Sequence, residues 1–130
     1  MDIVLHTHVD DPVLALRNCR RLDATTFECE LYVRSSGFIC ERTFWFEEPE
    51  FGTFREQLAA MDSTLMGAAE LRTRHEENGF RLEVSPTGTV GVTGMLREYG
   101  AMNQILRFGF NTDQTVLAPF IQDLTQLSGL

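Results

Sequence analysis

No run of about 18 apolar residues occurs anywhere in the chain, and its opening, Met1-Asp2-Ile3, lacks the basic start and long apolar stretch of a signal peptide. A soluble, cytoplasmic protein is expected. Cysteine is scarce. Cys19, Cys29 and Cys40 are an odd set with no C-x-x-C spacing, which points away from a disulfide framework or a zinc knuckle and toward reduced, mostly buried thiols. Basic residues number 11 against 19 acidic ones, a net charge of −8. Nucleic acid and anionic membranes are bound through excess Lys and Arg, so neither is expected as a partner, whereas a basic protein would be attracted. The same charge can equally serve solubility alone.

The usual carriers of catalysis are also missing. No G-x-S-x-G elbow occurs, and Gly88, Gly91 and Gly94 fall inside a predicted strand instead of opening a helix, so they cannot cradle phosphate. They suit sheet curvature or close packing under Phe108. His6-Thr7-His8-Val9-Asp10-Asp11 places two histidines on one face of a strand, a spacing that can ligate metal. Metal-dependent hydrolases on a β/α barrel open with such a pair, but that fold needs about 200 residues. The H-x-H-x-D-H run of metallo-β-lactamase-like enzymes would need histidine where Asp11 stands, and His75 is the only other histidine. The acidic run Glu47, Glu48 and Glu50 could hold a cation or act as an acid–base pair; it equally suits the positive end of the helix that follows. No catalytic residue, metal site or cofactor is assigned.

What is present is architecture. Phe51, Phe54, Leu58, Met61 and Leu65 recur at spacings of three and four, which predicts a helix over Pro49 to Met66 with these five on its buried face. Arg55, Glu56, Gln57, Asp62 and Ser63 fall on the exposed side. Pro49 suits the first turn and Gly67 the end.

Asp2 to Val9 reads as a strand with Ile3, Leu5, Thr7 and Val9 on one face, and Val13 to Leu22 as a second strand, despite the basic cluster Arg17, Arg20 and Arg21. Ser36-Gly37 between two alternating runs predicts a hairpin over Phe27 to Phe46 in which Ser35 pairs with Phe38. Phe27, Cys29, Leu31 and Val33 then share a core face with Phe38, Cys40, Phe44 and Phe46, with Arg42 as the misfit. After the helix, Ala68 to His75 and Phe80 to Ser85 flank Glu76-Glu77-Asn78-Gly79, whose Asn-Gly pair predicts a hairpin, and Pro86-Thr87-Gly88 predicts a second that aligns Leu82 with Val92 and Val84 with Val90. Leu106, Phe108 and Phe110 supply a last strand. Thr115 is the expected N-cap of a final helix, Val116 to Leu127, whose stripe is Leu117, Phe120, Ile121, Leu124 and Leu127.

A chain of 130 residues, 43% of them hydrophobic, is the size of one domain with one core. Residues 1–130 are therefore expected to be a single α+β domain. Its antiparallel sheet of about seven to eight strands, built of hairpins, carries two amphipathic helices in the order β-β-β-β-α-β-β-β-β-α.

Trp45-Phe46-Glu47 leading into Phe51, Phe54 and Leu58, then Gly67 to Leu71, Gly88 to Gly94, and Asn111-Thr112-Asp113-Gln114-Thr115 before the last helix together resemble the small bacterial WapI-family immunity proteins and related domains of unknown function. The likeness runs from about Leu31 to Leu127 and carries no catalytic residue. It implies a cytoplasmic protein that binds and blocks a toxin domain.

Three functions stay open: a non-catalytic binder of a basic protein such as a toxin domain, a small apolar-ligand-binding domain using the ten phenylalanines and five methionines, and an enzyme of unrecognised type. The expected binding patch is the outward face of the Phe27 to Phe46 hairpin, where Tyr32 and Trp45 sit among Glu28, Glu30 and Glu41. Aromatic anchors ringed by carboxylates suit a basic partner. A Trp45 covered by the N-terminal strands or by a dimer mate is the alternative, and a homo-oligomer stays open.

Overall fold

The computed structural model describes residues 1–74 and 77–130. Four strands, β1 (Ile3–Leu5), β2 (Val13–Arg21), β3 (Thr26–Ser35) and β4 (Phe38–Glu47), precede helix α1 (Glu50–Thr64). Strands β5 (Ala68–Arg72), β6 (Gly79–Val84), β7 (Thr89–Glu98) and β8 (Gln104–Asp113) follow, then a 3-10 turn (Gln114–Val116) and helix α2 (Leu117–Ser128). The chain is thus α+β with antiparallel pairing and the expected order. Each run of four strands makes its own sheet, β1-β2-β3-β4 and β5-β6-β7-β8.

Alternation on the strands and the three-four spacing on the helices aim their apolar side chains at one core shared by both sheets and both helices. Phenylalanine rings join the layers. Phe27 stacks on Phe46 at 5.3 Å, and Phe51 of α1 meets each of them edge-on at 5.0 Å. Phe54 meets Phe80 of β6 at 5.6 Å and Phe120 of α2 at 6.5 Å. These rings pack on one another and, with Phe44, fill the core, whereas Phe108 and Phe110 are half-buried.

Both expected registers hold: Ser35 pairs with Phe38 across Ser36-Gly37, and Leu82 and Val84 pair with Val92 and Val90. Gly88 takes φ +85° and donates its N–H to the Ser85 carbonyl at 2.9 Å, closing the Pro86-Thr87-Gly88 loop.

Departures cluster at element ends. The first strand stops at Leu5, because Thr7 Oγ1 folds back to the Pro12 carbonyl at 2.6 Å and His8 takes φ +69°. Thr7 and Val9 therefore leave the core face. Phe38 has the expected register yet is 68% exposed, since the core ends near Val33 and Cys40. Leu65 ends α1 in the left-handed conformation at φ +54°, its N–H bonded to the Met61 carbonyl, and its half-buried side chain offsets that strain. Arg55 is not free on the exposed side: its guanidinium lies 4.9 Å over Phe51 and 3.7 Å from Glu48. β5 and β6 form the expected hairpin, but Gly79 already belongs to β6, paired with Arg72, and Asn78 Oδ1 accepts the Arg97 N–H at 2.8 Å. His75 and Glu76, expected at that strand end and loop, lie outside the described residues. Asp113, not Thr115, caps the final turn by accepting the Thr115 N–H at 2.9 Å.

Candidate functional site

Period-two alternation places Glu28, Glu30, Tyr32 and Arg34 on the outer side of β3, and the register sets them against Trp45, Thr43, Glu41 and Ile39 of β4. All five expected site residues therefore share one face. Beside β3 in the same sheet lies β2, whose regular pairing is interrupted between Arg17 and Arg20. Asn18 absorbs this bulge at φ +53°, a conformation that asparagine tolerates, and its Nδ2 reaches Glu30 at 3.2 Å. As a result Arg17 and Arg20 both point toward the carboxylates of β3 and β4.

The side chains lock into two clusters. Glu28 accepts Arg20 Nη2 at 2.6 Å through one oxygen and the Trp45 indole N–H at 2.7 Å through the other. Trp45 is thus held in one orientation while 43% of it stays open to solvent. Arg17 lies 3.7 Å over the Tyr32 ring and donates to Glu41 at 3.2 Å. Arg17, Arg20 and Arg34 balance Glu28, Glu30 and Glu41, so the face is neutral in sum and the charge of −8 comes from elsewhere on the chain.

Hydrogen bonds from Arg20, and then from Trp45, hold the Glu28 carboxyl below the usual range. A depressed carboxyl stabilises the fold at neutral pH and loses that contribution as pH falls below about 4 and through its lowered value. Glu28→Gln is therefore expected to flatten the acid limb of stability slightly, with Trp45 fluorescence in denaturant at stepped pH as the readout. An unchanged acid limb would mean that the Arg20–Glu28–Trp45 cluster does not form in solution.

Other candidates have structural roles. His8 Nε2 sits 2.9 Å from Thr115 Oγ1, tying the loop after β1 to the turn before α2, and Asp11 accepts the N–H groups of Ser36 and Gly37 at 3.0 and 3.3 Å. Glu47 and Glu50 bind Arg74 at 2.8 and 2.7 Å, and Glu48 accepts the Gly52 N–H at 3.1 Å. Among the described residues, no three of His, Cys, Asp and Glu form a group that could hold a metal ion. The cysteines are free thiols. Hydrogen bonding to Cys19, together with burial, pushes the Cys29 thiol well up. Among the described residues, no helix is long and apolar enough to cross a membrane.

Arg17 and Arg20 are the members that sequence spacing does not assign to the face, because a bulge shifts the register within β2. The basic cluster in an otherwise apolar strand was their only signal.

The model of the Immunity protein WapI-like family matches residues 10–128. No curated protein matches the chain, and no solved structure does.

Proposed function

The chain belongs to the immunity protein WapI-like family, and from that premise we propose that it is a non-catalytic binding protein that neutralises a basic toxin domain through the outer face of β2, β3 and β4. The observation that carries this reading is the pre-set Trp45, an exposed ring fixed by Glu28 before any partner arrives. Large rings held at the centre of an interface dominate binding energy, and little side-chain entropy is left to lose when the ring is already immobilised. Tyr32 under Arg17 is the second anchor. Because the patch is neutral, attraction of a basic partner comes from the surrounding acidic surface, and the face itself supplies fit.

The test is a pull-down with the product of the neighbouring gene, followed by surface plasmon resonance on the captured pair. Trp45→Ala is expected to raise the dissociation rate about 30-fold or more. Glu30→Arg, which leaves Glu28 and Trp45 paired, is expected mainly to slow association, more so at low ionic strength. Unchanged rate constants for both variants, with the fold intact, would remove this face as the site.

A further inference from the structure

The face formed by β2, β3 and β4 holds an open depression of about 280 Å³, lined by Asn18, Arg20, Glu28, Cys29, Glu30 and Thr43. The strand register accounts for it. Glu30 of β3 pairs with Thr43 of β4, and the short Thr43 falls between Glu41 and Trp45 on the same side of its strand. The row on one side pairs Glu28 with Trp45, the row on the other pairs Tyr32 with Glu41, and each lies roughly 7 Å along the strands from the Glu30 row.

Charge on this face is neutral in sum but uneven in place. Glu28 is taken by Arg20, Glu41 by Arg17, and Arg34 is turned to the Asp10 carbonyl. Glu30 has no arginine: among the described residues its carboxylate receives only the Asn18 side-chain amide, at 3.2 Å. Asn18 is itself held, because its backbone N–H donates to Asp2 Oδ1 at 2.8 Å. Glu30 is thus a positioned carboxylate with unused lone pairs, in a depression where the charges of Glu28 and Arg20 offset each other. Thr43 Oγ1 and Asn18 Oδ1 add two acceptors that receive no donor among the described residues.

We propose that this depression is a guanidinium site and, resting on the toxin reading above, that an arginine side chain of the toxin domain enters it. A guanidinium carries five N–H donors in a planar fork, enough to meet the Glu30 carboxylate and still reach Thr43 and Asn18, whereas an ammonium carries three. The exposed Trp45 ring in the next row offers a flat surface for the same plane. The space is open and lies at the small end of ligand pockets, which suits one side chain better than a whole metabolite.

The test starts without the toxin. N-acetyl-arginine amide titrated into the full chain should shift the backbone resonances of Asn18, Glu30 and Thr43 and quench Trp45, the one tryptophan present, with saturation in the millimolar range. Glu30→Gln, whose amide oxygen still accepts from Asn18, should weaken that binding roughly fivefold, and the matching lysine amide should bind less tightly than the arginine amide. In the captured pair Glu30→Gln should raise the dissociation rate by a similar factor, and this smaller share of the Glu30→Arg effect should persist in salt. No saturable shift in the parent, unchanged affinity in Glu30→Gln, or equal affinity for the lysine amide overturns the guanidinium site, whatever Trp45→Ala does to the toxin complex. A captured partner that responds to Trp45→Ala and not to Glu30→Gln keeps the toxin reading and overturns the arginine contact. Amide binding that requires Glu30, in a chain whose captured partner is indifferent to both variants, upholds the guanidinium site and removes the toxin reading.

Discussion

Phe54→Ala is expected to lower unfolding stability by about 3–5 kcal/mol, and the melting temperature by about 10–20 °C, the largest effect of any single truncation considered. The ring is fully buried on α1 and makes edge-to-face contact with Phe80 of β6 and Phe120 of α2, so its removal opens a space where three elements meet. Neighbouring rings cannot collapse into that space without losing their own partners. The matched control is Glu56→Ala, exposed on the same helix, expected to stay within about 0.5 kcal/mol. Arg55 would be a poor control, because it covers Phe51 and pairs with Glu48. Urea titrations with unchanged slope measure both. Equal, small losses would mean that α1 does not present this face to the core.

Elements whose residues repeat with a clear period are readable without coordinates. The α1 stripe, the β3 and β4 alternation about Ser36-Gly37, and the Pro86-Thr87-Gly88 loop each depend on neighbours close in sequence, and the structure keeps all three. Ends of elements depend on partners far away. Gly79 leaves the loop to pair with Arg72 while the Asn78 side chain is drawn to the Arg97 N–H, and Asp113 competes successfully with Thr115 for the cap. The division of eight strands into two sheets is invisible to periodicity, because alternation reports which side of a strand is buried and not which strand lies beside it.

The candidate site divides the same way. That Glu28, Tyr32, Glu41 and Trp45 share a face follows from the hairpin register alone. That Glu28 is already committed to Arg20 and Trp45 follows from the bulge at Asn18, which no spacing rule announces. Net charge misled in a similar manner: a sum of −8 over the chain says nothing about a patch where three arginines meet three glutamates.

Gly94→Ala is the second large expected effect, and here the sequence hint, a glycine opposite Phe108, has a definite geometry. Gly94 pairs with Phe108 on one side and Phe80 on the other. A Cβ there would sit 2.4 Å from Phe108 Cζ and 2.5 Å from the Gly79 carbonyl oxygen. Phe108 is half-buried on an edge strand and can swing aside, but the Gly79 oxygen belongs to the backbone of β6, so β6 and β7 must separate. Overpacking of this kind costs about 1–3 kcal/mol, and the upper part of that range is expected because a backbone must move. Gly109→Ala gives the opposite sign. Its Cβ would meet nothing nearer than Thr93 Cγ2 at 3.5 Å, an ordinary contact, and replacing a strand glycine with alanine reduces the entropy lost on folding, a gain of about 0.5–1 kcal/mol. Thermal denaturation of the two variants should move in opposite directions from the parent. Adding Phe108→Ala to Gly94→Ala should not restore stability, since the Gly79 carbonyl remains; full recovery in that double variant would show that the ring, and not the backbone, sets the limit at this crossing.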